Sequence, residues 1–132
     1  MTREDKKRIL RRYNEILFNI DRLTDKYATI YTNAVNVVVC SNGMPTAHNG
    51  TSRTETEVIK MSQVLEELET EERKKIIIDN ALKNLTEIQE DILRQTEING
   101  LSLYRYSLSV RKDYKYIIKL HNRSLDNLSI NI

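Results

Sequence analysis

The side chains best suited to chemistry in this chain gather between Gly100 and Leu125. Arg111 and Lys112 precede a stretch from about 113 to 124, on which Tyr114, Lys115, Ile118, Lys119, Asn122 and Arg123 share one side at helical spacing. Cations, an amide and apolar tips in such an array reach phosphate oxygens and base edges, so the chemistry is recognition of a polyanion rather than bond making. Two caps frame the segment. Ser102 and Asp113 each carry a short oxygen-bearing side chain where a helix would start, able to take the free N–H groups of an opening turn. Leu103, Tyr106, Ser107 and Val110 fall on one face after the first cap, and Ile117, Leu120, Ser124 and Leu125 after the second. A small residue such as Ser107 in mid-face lets two short helices cross closely.

Charge is distributed in agreement. Residues 98–132 hold six Lys/Arg against two Asp/Glu, whereas residues 55–97 hold six against twelve, so a net +4 adjoins a net −6. A basic end beside an acidic body is a local footprint for a polyanion. The N-terminal Arg3, Lys6, Lys7, Arg8, Arg11 and Arg12 read first as a solvated helix face, with auxiliary phosphate contact as the alternative.

Other chemistries find no support. His48 and His121 lack partners at metal-ligand spacing, and His121 reads as a packing or phosphate-facing residue. Cys40, the single cysteine, excludes an internal disulfide and reads as a small buried or linker residue. Glu67 with Glu71, and Glu87 with Asp91, lie four apart among Lys and Arg, as on a solvated face with ion pairs. Tyr104, Tyr106, Tyr114 and Tyr116 could stack single-stranded bases, but their helical spacing suits packing better. No glycine-rich phosphate loop and no nucleophile beside a base is present. The reading is non-enzymatic, with no cofactor and no metal.

The elements that position these residues come next. Three Gly, one Pro and 30% charged residues describe a helix-rich chain of one domain, or a small domain with an extended arm. The opening residues lack the apolar stretch of a signal peptide and the longest apolar run, Val37 to Cys40, cannot span a membrane, so a soluble intracellular protein is expected. Ile9, Tyr13, Ile16, Ile20, Leu23, Tyr27 and Ile30 alternate steps of four and three, a 3.5-residue period that predicts one helix from about residue 3 to the mid-thirties. Residues 35–40 fit either a short strand or a fraying helix end. Residues 41–54, with the only Pro, read as a loop, after which Thr54 and Glu57 form a capping-box pair. Val58, Met61, Leu65 and Leu68 then resume the seam, and Ile76, Ile78, Leu82 and Leu85 continue it loosely past Glu72. A third helix around Leu85, Ile88, Ile92 and Leu93 ends near Asn99-Gly100.

The sequence Leu93, Ile98-Asn-Gly-Leu-Ser-Leu, Tyr106-Ser107 and Tyr114 through Leu125 resembles a family of small phage-encoded proteins with a coiled-coil N-terminal half. Their C-terminal helix-turn-helix is similar to region four of bacterial sigma factors, and they look related to RinA- and ArpU-type regulators of late phage genes. The resemblance puts the family's small crossing residue on Ser107, its aliphatic position on Val110 and its cap on Asp113. It implies a transcriptional regulator that binds double-stranded DNA, with host RNA polymerase as a further partner.

These readings give an all-α chain. Residues 1–83 form a long antiparallel helical hairpin, coiled-coil-like, with the loop 41–54, and residues 84–132 form a sigma region-four-like helix-turn-helix. The function expected is a sequence-specific DNA-binding regulator of phage or prophage genes in the cytoplasm of a bacterial host cell. Its recognition helix, about 113–124, would enter the major groove, and the arm would pair two copies. The alternative is a structural or assembly protein, such as a small DNA-packaging subunit or scaffold, that uses its helices to oligomerise.

Overall fold

Thr2 starts the first helix with a reciprocal cap. Its hydroxyl accepts the Asp5 N–H at 3.2 Å, and the Asp5 carboxylate accepts the Thr2 N–H at 3.1 Å. The computed structural model describes the backbone of residues 1–41 and 47–131, and their side chains other than those of residues 34, 36–41 and 47–54. Every regular element in this range is helical: α1 (Arg3–Arg11), α2 (Tyr13–Ser41), α3 (Ala47–Lys83), α4 (Glu87–Leu93), a π turn (Arg94–Ile98), α5 (Leu103–Val110) and α6 (Tyr114–Asn127). No strand occurs among the described residues. Residues 35–40 are therefore helix, and the helix is regained at Ala47, earlier than the 41–54 loop reading allows. Residues 42–46 and the side chains of Cys40 and His48, with the roles suggested for them, lie outside the described residues.

The 3.5-residue seam is real. Ile9, Tyr13, Ile16, Ile20, Leu23, Tyr27 and Ile30 are all buried or half-buried. The single long helix expected there is interrupted at Arg12, whose N–H is shared between the carbonyls of Arg8 and Ile9, and α2 restarts at Tyr13. In α3 the seam lies in another register. Met61, Val64, Leu68, Glu71, Lys75, Ile78 and Leu82 turn inward, while Val58 and Leu65 are 52% and 39% exposed and Ile76 is also exposed. Two charged residues at inward positions disguise the pattern, and their long stems can cover apolar surface while the charges reach water.

The chain divides into two compact units, Met1–Leu17 with Arg73–Ile132, and Phe18–Glu72. In the second, Leu23, Ile30 and Val64 are buried together, with Tyr27, Met61 and Leu68 packed on them. One flank of this helix pair is polar, since Asn19, Arg22, Glu67 and Thr70 border a common depression beside Leu23. Tyr31, Val35, Val58 and Leu65 occupy the other flank by helical register and are exposed.

The first unit holds a broader core, with Leu10, Leu82, Ile92, Leu93, Ile117 and Leu125 fully buried and Tyr106 almost so. Thr86 and Gln89 open α4 with a second capping box. The π turn follows, and it places three consecutive residues, Thr96, Glu97 and Ile98, in the interior. Gly100 then ends the element at φ 78°, with open space where a Cβ would stand, so the backbone angle and not crowding calls for glycine.

Candidate nucleic-acid interface

Two short helices present the basic residues. Ser102 caps α5 by accepting the Arg105 N–H at 3.2 Å. Tyr106 and Ser107 turn inward, and Ser107, 3% exposed, donates its hydroxyl to the Tyr104 carbonyl at 2.6 Å. Tyr106 donates to Asp91 at 2.7 Å, and burial followed by this bond pushes its phenol well above the usual tyrosine range. A single-strand platform of four tyrosines is thereby ruled out, because Tyr106 is core while Tyr104, Tyr114 and Tyr116 are exposed.

The connection is three residues long. Arg111 adopts the left-handed conformation (φ 57°, ψ 43°), its N–H meets the Leu108 carbonyl, and the Lys112 N–H reaches back to Ser107. Asp113 occupies the cap position of α6 with extended backbone, but its side chain makes no capping hydrogen bond, contrary to the role read from sequence. Ile117, Leu120, His121, Ser124 and Leu125 bury the inner face of α6. Arg111, Lys112, Tyr114, Lys115, Lys119 and Arg123 are exposed, and Ile118 and Asn122 are half-buried beside them.

The cations of this face differ from those of α1. Among the described residues, Arg105, Arg111, Lys112, Lys115, Lys119 and Arg123 have no carboxylate partner. Asp126, the one acid within α6, is held by both its oxygens in the fork of Arg3 at 2.8 Å, and this bond keeps its carboxyl below the ordinary range. Lys6 donates to the Leu125 carbonyl at 2.7 Å, placing a cation at the negative end of the helix. The remaining basic residues of α1 pair as well: Lys7 with Glu4, Arg8 with Asp5 and Arg11 with Glu97. Of the auxiliary phosphate contacts considered for the N-terminal run, only Arg12 stays exposed and unpaired among the described residues.

A buried polar pair, His121 and Glu97, joined by the exposed Arg11, fixes α6 from behind. His121 Nε2 lies 2.8 Å from Glu97 Oε1, and Arg11 Nε donates to Glu97 Oε2 at 3.1 Å. Burial alone would raise the Glu97 carboxyl, but the bond to His121 and the charges of His121 and Arg11 hold it below the glutamate range. His121 is therefore a packing residue, and the phosphate-facing alternative falls away. Glu97 has no sequence signature, since its burial depends on the π turn and on partners 24 and 86 residues distant. A second cluster joins α2, α3 and the π turn within the same unit. Tyr13 and Lys75 donate to Asp79 at 2.8 and 2.9 Å, and Arg94 reaches Asp79 and Glu90.

No set of three or more potential metal-binding side chains converges among the described residues, and none of their helices is long and apolar enough to cross a membrane. Compared with protein-family models, curated proteins and solved structures, the chain gives no match.

Proposed function

We propose that α5, the Arg111–Asp113 turn and α6 are a helix-turn-helix that binds duplex DNA sequence-specifically, with the outer face of α6 in the major groove. The observation that carries this reading is the set of cations from Arg105 to Arg123 that have no carboxylate partner among the described residues, on a helix pair whose opposite face is buried. Lys115 and Lys119 stand central on that face, while Arg111, Lys112 and Arg123 flank it and suit phosphates. The likeness of Tyr114–Leu125 to the recognition segment of RinA- and ArpU-type proteins makes the regulated genes those of a phage or prophage. Contact with host RNA polymerase rests on that analogy alone. In the same reading α2 and α3 form the antiparallel arm, and its exposed flank of Tyr31, Val35, Val58 and Leu65 pairs two copies on adjacent half-sites. That flank also favours the second reading, an assembly subunit whose helices oligomerise on DNA without reading sequence.

Exchanging Lys115 and Lys119 for Glu tests the assignment. The full-length double variant should keep its melting curve, lose most duplex affinity and show a salt slope smaller by roughly one unit per lost phosphate contact. An unchanged isotherm removes α6 as the binding element. Strong binding that is blind to sequence favours the assembly subunit.

A further inference from the structure

Tyr104 and Tyr114 make an exposed aromatic pair at the start of the basic face. Their ring centroids are 5.9 Å apart at 74°, edge to face, although the rings belong to different helices and remain 59% and 43% exposed. Tyr114 is the first residue of α6, and Ile118, half-buried, follows one turn later on the same flank. Lys115 and Lys119 run alongside without carboxylate partners among the described residues. An apolar strip beside a cationic strip calls for a partner with both characters, an anionic frame and an apolar group at fixed depth. A DNA major groove offers that combination, and the 5-methyl of thymine is the one apolar group on its base edges.

We propose that Tyr114 and Ile118 read thymine 5-methyl groups, with Tyr104 as the positioning residue that holds the Tyr114 ring. This inference rests on the reading of α6 as the groove-bound helix and adds the base feature that it recognises. Edge-to-face contact narrows the arc open to the Tyr114 ring, so less freedom is lost when the ring meets the methyl.

The experiment uses the full-length chain and a random-sequence DNA duplex library, from which bound sequences are amplified. The enriched duplex is then resynthesised with deoxyuridine for every thymine, which deletes the methyl and leaves phosphates and hydrogen-bonding edges alone. Loss of one contacted methyl should weaken binding about fourfold, the effect of one buried carbon group. Tyr114→Ala should narrow the thymine-to-uracil ratio, and Tyr114→Ala with Ile118→Ala should bind the two duplexes equally. Tyr104→Ala should narrow the ratio and Tyr104→Phe should restore it, with melting curves checked for each variant. Equal affinity of the unmodified chain for both duplexes overturns the thymine assignment while duplex binding stands. Full methyl preference in Tyr114→Ala overturns the role of Tyr114. Absence of any salt-dependent duplex binding by the unmodified chain removes this inference together with the DNA-binding reading.

Discussion

Arg111 occupies a backbone conformation that an L-residue with a Cβ enters at about 1–2 kcal/mol, where glycine would pass freely. Its guanidinium has no carboxylate partner among the described residues, so no ion pair inside the chain offsets the strain. Arg111→Gly should therefore raise unfolding stability by about 1 kcal/mol in chemical denaturation and at the same time lower duplex affinity. A loss of stability would show that the guanidinium has a structural partner instead. Glu97 presents the opposite case, a charge fully used inside. Its carboxyl titrates below the ordinary 4.5, so its stabilising effect is present above that pH and fades as pH falls through the lowered folded value. Glu97→Gln should cost on the order of 1–3 kcal/mol at neutral pH, by weakening bonds to two cationic or ring N–H groups. Thermal melts of both proteins should converge as the pH drops below 4.5, and a difference independent of pH would remove the titration of Glu97 from the account.

At the scale of elements, legibility followed how consistently apolar residues filled the inward positions. From Ile9 to Ile30 every step of the period is apolar, and the seam could be read residue by residue. In α3 the inward positions include Glu71 and Lys75, while the exposed Val58, Leu65 and Ile76 mark a competing stripe, so the apolar pattern mixes true inward positions (Met61, Leu68, Ile78, Leu82) with outward ones. The inner and outer faces of α5 and α6 were legible because cap, small residue and aliphatic positions all agreed. Asp113 was legible as a cap position but not in its bonding, because the aspartate type fixes no rotamer. The π turn was not legible at all, since nothing in Arg94–Ile98 distinguishes it from an ordinary helical turn. The competing stripe has its own consequence. If Tyr31, Val35, Val58 and Leu65 pair two copies, Val58→Glu with Leu65→Glu should convert a dimer into a monomer in sedimentation at micromolar concentration, with helix content retained. A monomeric unmodified chain would end the pairing argument.

For the whole molecule, the unit that carries the basic face is discontinuous, because Met1–Leu17 fold with Arg73–Ile132. Leu10 is fully buried, Arg11 holds Glu97, and Arg3 and Lys6 hold the end of α6. A fragment comprising residues 84–132 should thus lack a cooperative melting transition and dispersed amide signals, although every residue of the proposed recognition helix is present. Cooperative melting of that fragment would show that α1 is dispensable. The same discontinuity bears on biosynthesis. α1 packs against the π turn and α6, so it leaves the ribosome with neither of its partners yet made. About 110 further residues must be translated before α6 is complete, roughly 5–20 s at ordinary elongation rates. For that interval the inner side of α1, with Leu10, is uncovered on the nascent chain and open to chaperones. Synthesis through the last turn of α6 becomes a condition for a folded basic face, so a prematurely terminated product would not present the proposed DNA-binding surface.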